Sequence, residues 1–308
     1  MSQQNKNRAS KTPYAITPRK VAFDLRQTPL HWIPGQPFAS HMWNAFHLML
    51  PSGEFAFCRV FNQALPYITD EKLRADVQAF IRQEAMHARA HNSAMTDYLN
   101  AHGIETQSYV EGINRVIDQL GRETLFGRKL SPRLLKQWII FQVGVVAAME
   151  HFTCVIGKYM LENREWEKAG ADAVMTDLLH WHGAEEVEHR CVAFDLYTHL
   201  GGRYPERYYL MLLSTPLVLG LQAGAATHIM KQDAALTAKR PSMRRPWFWL
   251  EWQRLAFKKH LPSLPWMLKE EMRYLLPWYH PVHEADTAPA LEYLRRSDGV
   301  RGATSAEL

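Results

Sequence analysis

A chain of 308 residues, 47% hydrophobic with a formal charge of +5, is long enough for a large core and too weakly basic to mark a nucleic-acid binder. Basic residues come with no nucleic-acid recognition motif, so nucleic acid is not an expected partner. Cys58, Cys154 and Cys191 are too few for a disulfide framework; they read as reduced core thiols, which suits a cytosolic compartment.

The start, MSQQNKNRASKTPYAITPRK, is polar and basic with no apolar run, unlike a secretory signal, and residues 1–24 read as a flexible arm. Pro29, His31, Pro34, Gly35, Pro37 and His41 then crowd together and predict an irregular lead-in. Helical periodicity follows over about 42–65, 70–101, 108–120, 131–162 and 167–200. Asp70 as an N-cap, Gly103 past a helix end, Ser131-Pro132 as N-cap and first helical residue, and Gly201-Gly202 as a stop mark the boundaries. With no long alternating strand pattern, the expected fold class is all-α.

These segments carry side chains of metal-ligating type in a telling order: Glu54, then Glu84-x-x-His87, then Glu150, then His182-x-x-x-Glu186-x-x-His189. Residues three or four apart share one helix face and can grip a single ion. Two helices giving a lone Glu and two giving Glu-x-x-His is the ligand pattern of a carboxylate-bridged dinuclear centre in a four-helix bundle. Four buried carboxylates without cations would cost several kcal/mol each or take up protons, whereas two divalent ions balance them. Oxygen and imidazole donors without thiolate favour iron first and manganese second.

Residues 25–205 are therefore expected to form a ferritin-like four-helix bundle, with Glu84 and Glu186 bridging and Glu54 and Glu150 terminal. Glu185 flanks the arc of Glu186 as a substitute ligand, and Glu188 points nearly the opposite way. His91 lies one turn beyond His87, and His47 lies seven residues before Glu54 on the same face. Either is an extra ligand or a partner orienting one, the commoner role being a hydrogen-bonded pocket histidine. His151 points away from Glu150, and His41 and Asn44 are candidates for an entrance. Glu54-Phe-Ala-Phe-Cys58 is echoed by Glu150-His-Phe-Thr-Cys154, as two helix pairs related by pseudo-twofold symmetry would produce.

Residues 208–230 contain no Asp, Glu, Lys or Arg and are long enough to cross a bilayer. Pro216, Gln222, several small residues and the lack of a second comparable segment favour a buried helix closing the bundle, or a hydrophobic dimer or membrane-contact surface. From 231 to 280, ten Lys or Arg meet four Asp or Glu and five Trp, a mixture suited to the interface of an anionic membrane. Residues 206–285 are thus expected to add an apolar helix and a basic aromatic helical extension to the bundle, and 286–308 to be a flexible tail. The expected location is cytoplasmic, with peripheral contact at the inner face of the membrane, and a homodimer is a further expectation.

The stretches His31-Trp32-Ile33-Pro34-Gly35, Pro51-Ser52-Gly53-Glu54, Phe80-Ile81-Arg82-Gln83-Glu84-Ala85-x-His87 and Glu185-Glu186-Val187-Glu188-His189-x-x-x-Ala193-Phe194-Asp195 resemble the family of predicted metal-dependent hydrolases. The likeness runs over about residues 20–285. The ligand pattern is also similar to that of ferritin-like di-iron oxygenases, and the run from His182 to His189 resembles that of arylamine N-oxygenases, where a third His joins the two pairs. Together these point to a non-haem di-iron oxygenase or oxidase holding two Fe ions, with Mn or a mixed Fe/Mn pair as variants. Dioxygen, an electron donor and a hydrophobic or lipid-like small-molecule substrate would be its partners. The alternative is a dinuclear metal-dependent hydrolase using a metal-activated water, and the third reading is a non-catalytic metal-binding bundle.

Overall fold

Four long helices meet around a buried polar cluster in the computed structural model, which describes residues 15–118, 120–125 and 127–305. Helix α1 (Pro37–Ala64) starts inside the stretch expected to be irregular. Pro37 occupies the first turn, where a missing N–H costs nothing, and so begins the helix instead of blocking it. Helix α2 (Glu71–Ala94) is capped by Asp70, whose carboxylate accepts from the Leu73 N–H at 2.7 Å, and runs on into a π-turn at Met95–Leu99. Helix α3 (Gln107–Ile117) leads to a small hairpin, β1 (Thr124–Leu125) with β2 (Arg128–Lys129), in which Thr124 pairs with Lys129.

Helix α4 (Pro132–Glu162) starts with its proline in the first turn after Ser131. The single helix expected over 167–200 is divided into α5 (Glu165–Lys168), α6 (Ala173–His189) and α7 (Val192–Leu200). Gly170 takes a left-handed conformation, φ +73°, between α5 and α6. Arg190 makes the second break: it is buried, and its guanidinium donates to the carbonyls of Pro281 (3.0 Å) and Val187 and to the Thr287 hydroxyl (2.8 Å). Gly201, at φ +99°, ends α7.

After Gly201 come α8 (Tyr204–Met230), α9 (Ala234–Thr237), α10 (Pro246–Phe257), α11 (Leu264–Tyr274), α12 (Thr287–Arg296) and α13 (Asp298–Ser305). The chain is thus an all-α bundle with added C-terminal helices. The expected tail is largely helical: α12 buries Ala290 and Leu294 with Trp181 and Val187 of α6. Residues 15–24 have no helix or strand, yet they are tied down by a backbone bond from Ala22 to Gly299 and by the Phe23 ring against Trp181. Residues 1–14 and 306–308 of the expected arm and tail lie outside the described residues.

Helix α1 packs against α2 and α8, and α4 packs against α6, α7 and α8. Among the described residues two helices, α4 and α8, are long and apolar enough to cross a membrane, so α8 does have a comparable counterpart. The apolar window of α4 is 72% buried and its helix carries Glu150, as a core helix would; that of α8 is 50% buried. Where α4 meets α6 the backbones touch. A Cβ on Gly157 would lie 2.9 Å from the Gly183 carbonyl oxygen and 2.9 Å from the Glu186 Cβ, and one on Gly183 would lie 2.6 Å from the Gly157 oxygen.

Candidate metal centre

Helices α1, α2, α4 and α6 each project into one interior space, and the seven residues singled out by spacing all reach it. Glu54 comes from α1, Glu84 and His87 from α2, Glu150 from α4, and His182, Glu186 and His189 from α6. None is more than 3% exposed. Donor atoms of Glu54, His87 and His182 lie within 4.8 Å of one another, as do those of Glu84, Glu186 and His189.

Glu186 sits between the two groups. Its Oε1 lies 3.3 Å from His182 Nε2 and 3.4 Å from His87 Nδ1, and its Oε2 lies 3.3 Å from His189 Nε2. Glu84 is placed similarly, with Oε1 at 3.4 Å from both His87 Nδ1 and His189 Nε2. Glu150 Oε2 is 3.2 Å from His189 Nε2.

Both carboxylate oxygens of Glu54 and of Glu150, Oε1 of Glu84 and Nδ1 of His87 are buried and make no well-aligned hydrogen bond, the approaches of 3.2 to 3.4 Å to imidazole nitrogens being poorly directed. Buried polar atoms rarely go unpaired, since each orphan costs about 1–3 kcal/mol. Acceptor atoms left together in this way fit cations better than they fit one another.

Electrostatics agree with that fit. Burial, then the charge of Glu84, holds Glu54 well above the usual carboxylate range; burial, then Glu186 and Glu84, pushes Glu150 up to about 8. Burial would raise Glu186 as well, but His189, His87 and His182 outweigh it and keep this carboxyl well below its ordinary value. His87 and His189 are held well above the ordinary imidazole range, burial being overcome by the surrounding glutamates. Protons therefore occupy part of the space where cations would balance the charge.

Each of the three imidazoles is fixed from behind. His87 Nε2 donates to Glu185 at 3.0 Å, leaving Nδ1 toward the cluster. His189 Nδ1 donates to Gln83 Oε1 at 3.1 Å, and Gln83 Nε2 donates to Glu188 at 2.7 Å. Arg19 joins these two supports, donating to Glu185 at 3.0 Å and to Glu188 at 2.7 and 3.0 Å. His182 Nδ1 lies 3.0 Å from His91 Nε2, and His91 Nδ1 lies 2.8 Å from His47 Nδ1. Outer partners that set tautomer and ring orientation are the usual companions of metal-ligating histidines.

This arrangement separates the uncertain positions. Glu185, weighed as a substitute ligand, backs His87, while His91 and His47 extend behind His182. His151 bonds to the Tyr279 hydroxyl and the Glu270 carbonyl. His41 and Asn44 belong to a separate buried network: His41 Nε2 lies 2.8 Å from Asp233, and Asn44 accepts from Trp32 Nε1 at 3.1 Å. They are fully buried and form no entrance.

A family model described as a predicted metal-dependent hydrolase matches residues 17–285. The chain belongs to this family. No curated protein and no solved structure matches it.

Family membership corrects the expectation of a di-iron oxygenase or oxidase. The hydrolase family model covers all seven cluster residues and most of the chain, whereas the likeness to N-oxygenases is confined to the ligand motifs. The physical reason for the error is plain: helical spacing specifies which donors meet, and the same donors serve a metal-activated water as readily as a redox reaction. Spacing also missed Arg19, Gln83 and Glu188 as supports. Gln83 stands inside the Gln-Glu-Ala-x-His motif, and the outward angle of Glu188 was itself a signal, because a support must approach from behind. Arg19 lies in an irregular segment and carries no periodic cue.

Proposed function

We propose that the chain is a dinuclear metal-dependent hydrolase of ferritin-like architecture. Glu54, Glu84, His87, Glu150, His182, Glu186 and His189 are its ligands, and iron or manganese is the metal favoured by this donor set. The supporting observation is the convergence of orphaned carboxylate oxygens on imidazole nitrogens whose opposite edges are already engaged. Glu84 and Glu186, whose oxygens face imidazoles of both groups, would hold the metal pair together with Glu54 and Glu150.

A pair of divalent cations would supply an acidified water and polarise the scissile group. The protein's part is to fix the donors, keep bulk water out and hold the imidazole tautomers. Arg19, Glu185, Gln83 and Glu188 do the last of these for His87 and His189, and His91 does it for His182.

The test is strictly anaerobic reconstitution with Fe(II), Mn(II) or Zn(II), metal analysis, and an assay against ester, amide and phosphoester panels. About two ions per chain with metal-dependent turnover in the absence of oxygen is the expected result. Turnover that requires oxygen, or a stoichiometry well above two without hydrolysis, overturns the reading.

A further inference from the structure

Two small apolar cavities with shared walls lie on the His182 side of the centre and mark out an apolar passage away from it. Its inner part is lined by Phe46, Leu50, Phe152 and Ile156 and ends on His91 and His182. Its outer part shares Phe46, Phe152 and Ile156 and continues past Trp43 to Leu219, Trp252 and Met267. Its outer end lies between α8 on one side and α10 and α11 on the other. Apart from the two histidines, Thr153 and Gln222, the walls offer nothing to recognise a polar substrate. Both parts are narrow, with water-sized room of about 30 Å³ and 20 Å³. An occupant must be slender, and the thioethers of Met42, Met160 and Met267 in the walls are the side chains best able to yield to it.

A second observation concerns the surface by the outer end of the passage. Helices α8 and α11 are joined by the Thr215 hydroxyl on Glu271 at 2.9 Å and the Tyr204 hydroxyl on the Leu275 carbonyl at 2.7 Å. Together they turn Leu213 (66% exposed), Leu217, Leu268 and Met272 outward, and Trp278 follows at 77%. Leu217 and Leu268 flank Leu219 and Met267 of the passage in sequence. Leu268, Met272 and Trp278 belong to a segment that is basic in sequence, with ten Lys or Arg against four Asp or Glu over 231–280. Exposed aliphatic and aromatic side chains joined to a basic segment match an anionic lipid surface, where apolar groups enter the acyl boundary and cations meet phosphates.

We propose that the substrate is a single-chain amphiphile drawn from an anionic bilayer. The α8–α11 ridge rests on the lipid, the hydrocarbon chain lies in the passage, and the polar end reaches the cluster beside His182. The reaction rests on the hydrolase reading; the binding does not.

Brominated fatty acids of increasing chain length, titrated into the metal-loaded full-length protein, should quench tryptophan fluorescence through Trp43 and Trp252, with affinity rising with length. Ile156→Trp, which plugs the junction of the two parts, should weaken binding by about tenfold or more at unchanged bound metal. Leu219→Trp, half-buried at the outer end and remote from the ligands, should do the same should the first plug disturb the core. Leu213→Asp with Leu217→Asp should abolish co-sedimentation with phosphatidylglycerol vesicles. Affinity indifferent to chain length and to both plugs overturns the passage; vesicle binding indifferent to the two aspartates, or equal on phosphatidylcholine alone, overturns the surface. None of these readouts uses turnover, so a protein that binds chains but hydrolyses nothing would sink the hydrolase reading and leave this one intact.

Discussion

Glu185 holds His87 from the side away from the cluster: Oε2 lies 3.0 Å from Nε2, while Nδ1 of the same ring faces Glu84 and Glu186 at 3.4 Å each. Glu185→Ala is therefore expected to weaken metal binding by about 10–100-fold, measured by competition with a chelator, with helical content kept. Glu185→Gln retains an acceptor for Nε2–H and should recover most of the loss. If Glu185→Gln behaves like a ligand deletion, Glu185 is itself a ligand.

Arg19 neutralises two carboxylates that are otherwise buried, Glu185 and Glu188, with its own side chain 15% exposed. Arg19→Ala removes the only cation that the structure sets against Glu188, among the described residues, and leaves Glu185 to His87 alone; it should cost about 3 kcal/mol in chemical denaturation. Arg19→Ala combined with Glu188→Gln should cost less than the sum of the single changes, since they share one network. Full additivity in that cycle would show that the two side chains act independently.

Glu84→Ala and Glu186→Ala should each lower bound metal sharply without abolishing helical content, read by elemental analysis and circular dichroism. Loading the metal-free protein near about pH 7 should also release protons, because Glu54 is held well above the usual carboxylate range and Glu150 at about 8. Proton-neutral loading in calorimetry across buffers of different ionisation enthalpy would contradict the placement of these acids among the ligands.

Glu271 lies at the contact of α11 with α8, and burial raises it to about 7, opposed in part by the Thr215 hydroxyl. The unfolded chain gives up this proton near the ordinary value of 4.5, whereas the folded chain keeps it until about 7. Stability is therefore lost as pH rises between these values, by an amount of order 3 kcal/mol once both states are ionised. Glu271→Gln should remove that loss and stabilise the protein more at about pH 8 than at about pH 5. An equal effect at both would place the carboxyl in water.

Spacing made the interior of the bundle legible because the chemistry needed there repeats with the helix. Glu84 with His87, and Glu186 with His189, must share a face if they meet at all, and the structure brings them to one space. What surrounds them follows no such period. The break after His189 depends on Arg190 finding carbonyls nearly a hundred residues away, and the start of α1 turns on Pro37 taking the one helical position that tolerates it. The C-terminal stretch read as a tail because α12 owes its order to the Trp181 and Val187 surface it covers. Reaction type lay beyond reach for a different reason, as the donors themselves do not encode it.

The contact of Gly157 with Gly183 fixes how closely α4 approaches α6 beside the cluster. Helices bearing ordinary side chains stand apart by the width of those side chains, with some freedom to drift. Here the main chains of α4 and α6 approach closely one turn from Glu186, leaving no room for a side chain between the two helices at that point. Any residue larger than glycine at either position must therefore push apart the helices that carry Glu150 and Glu186.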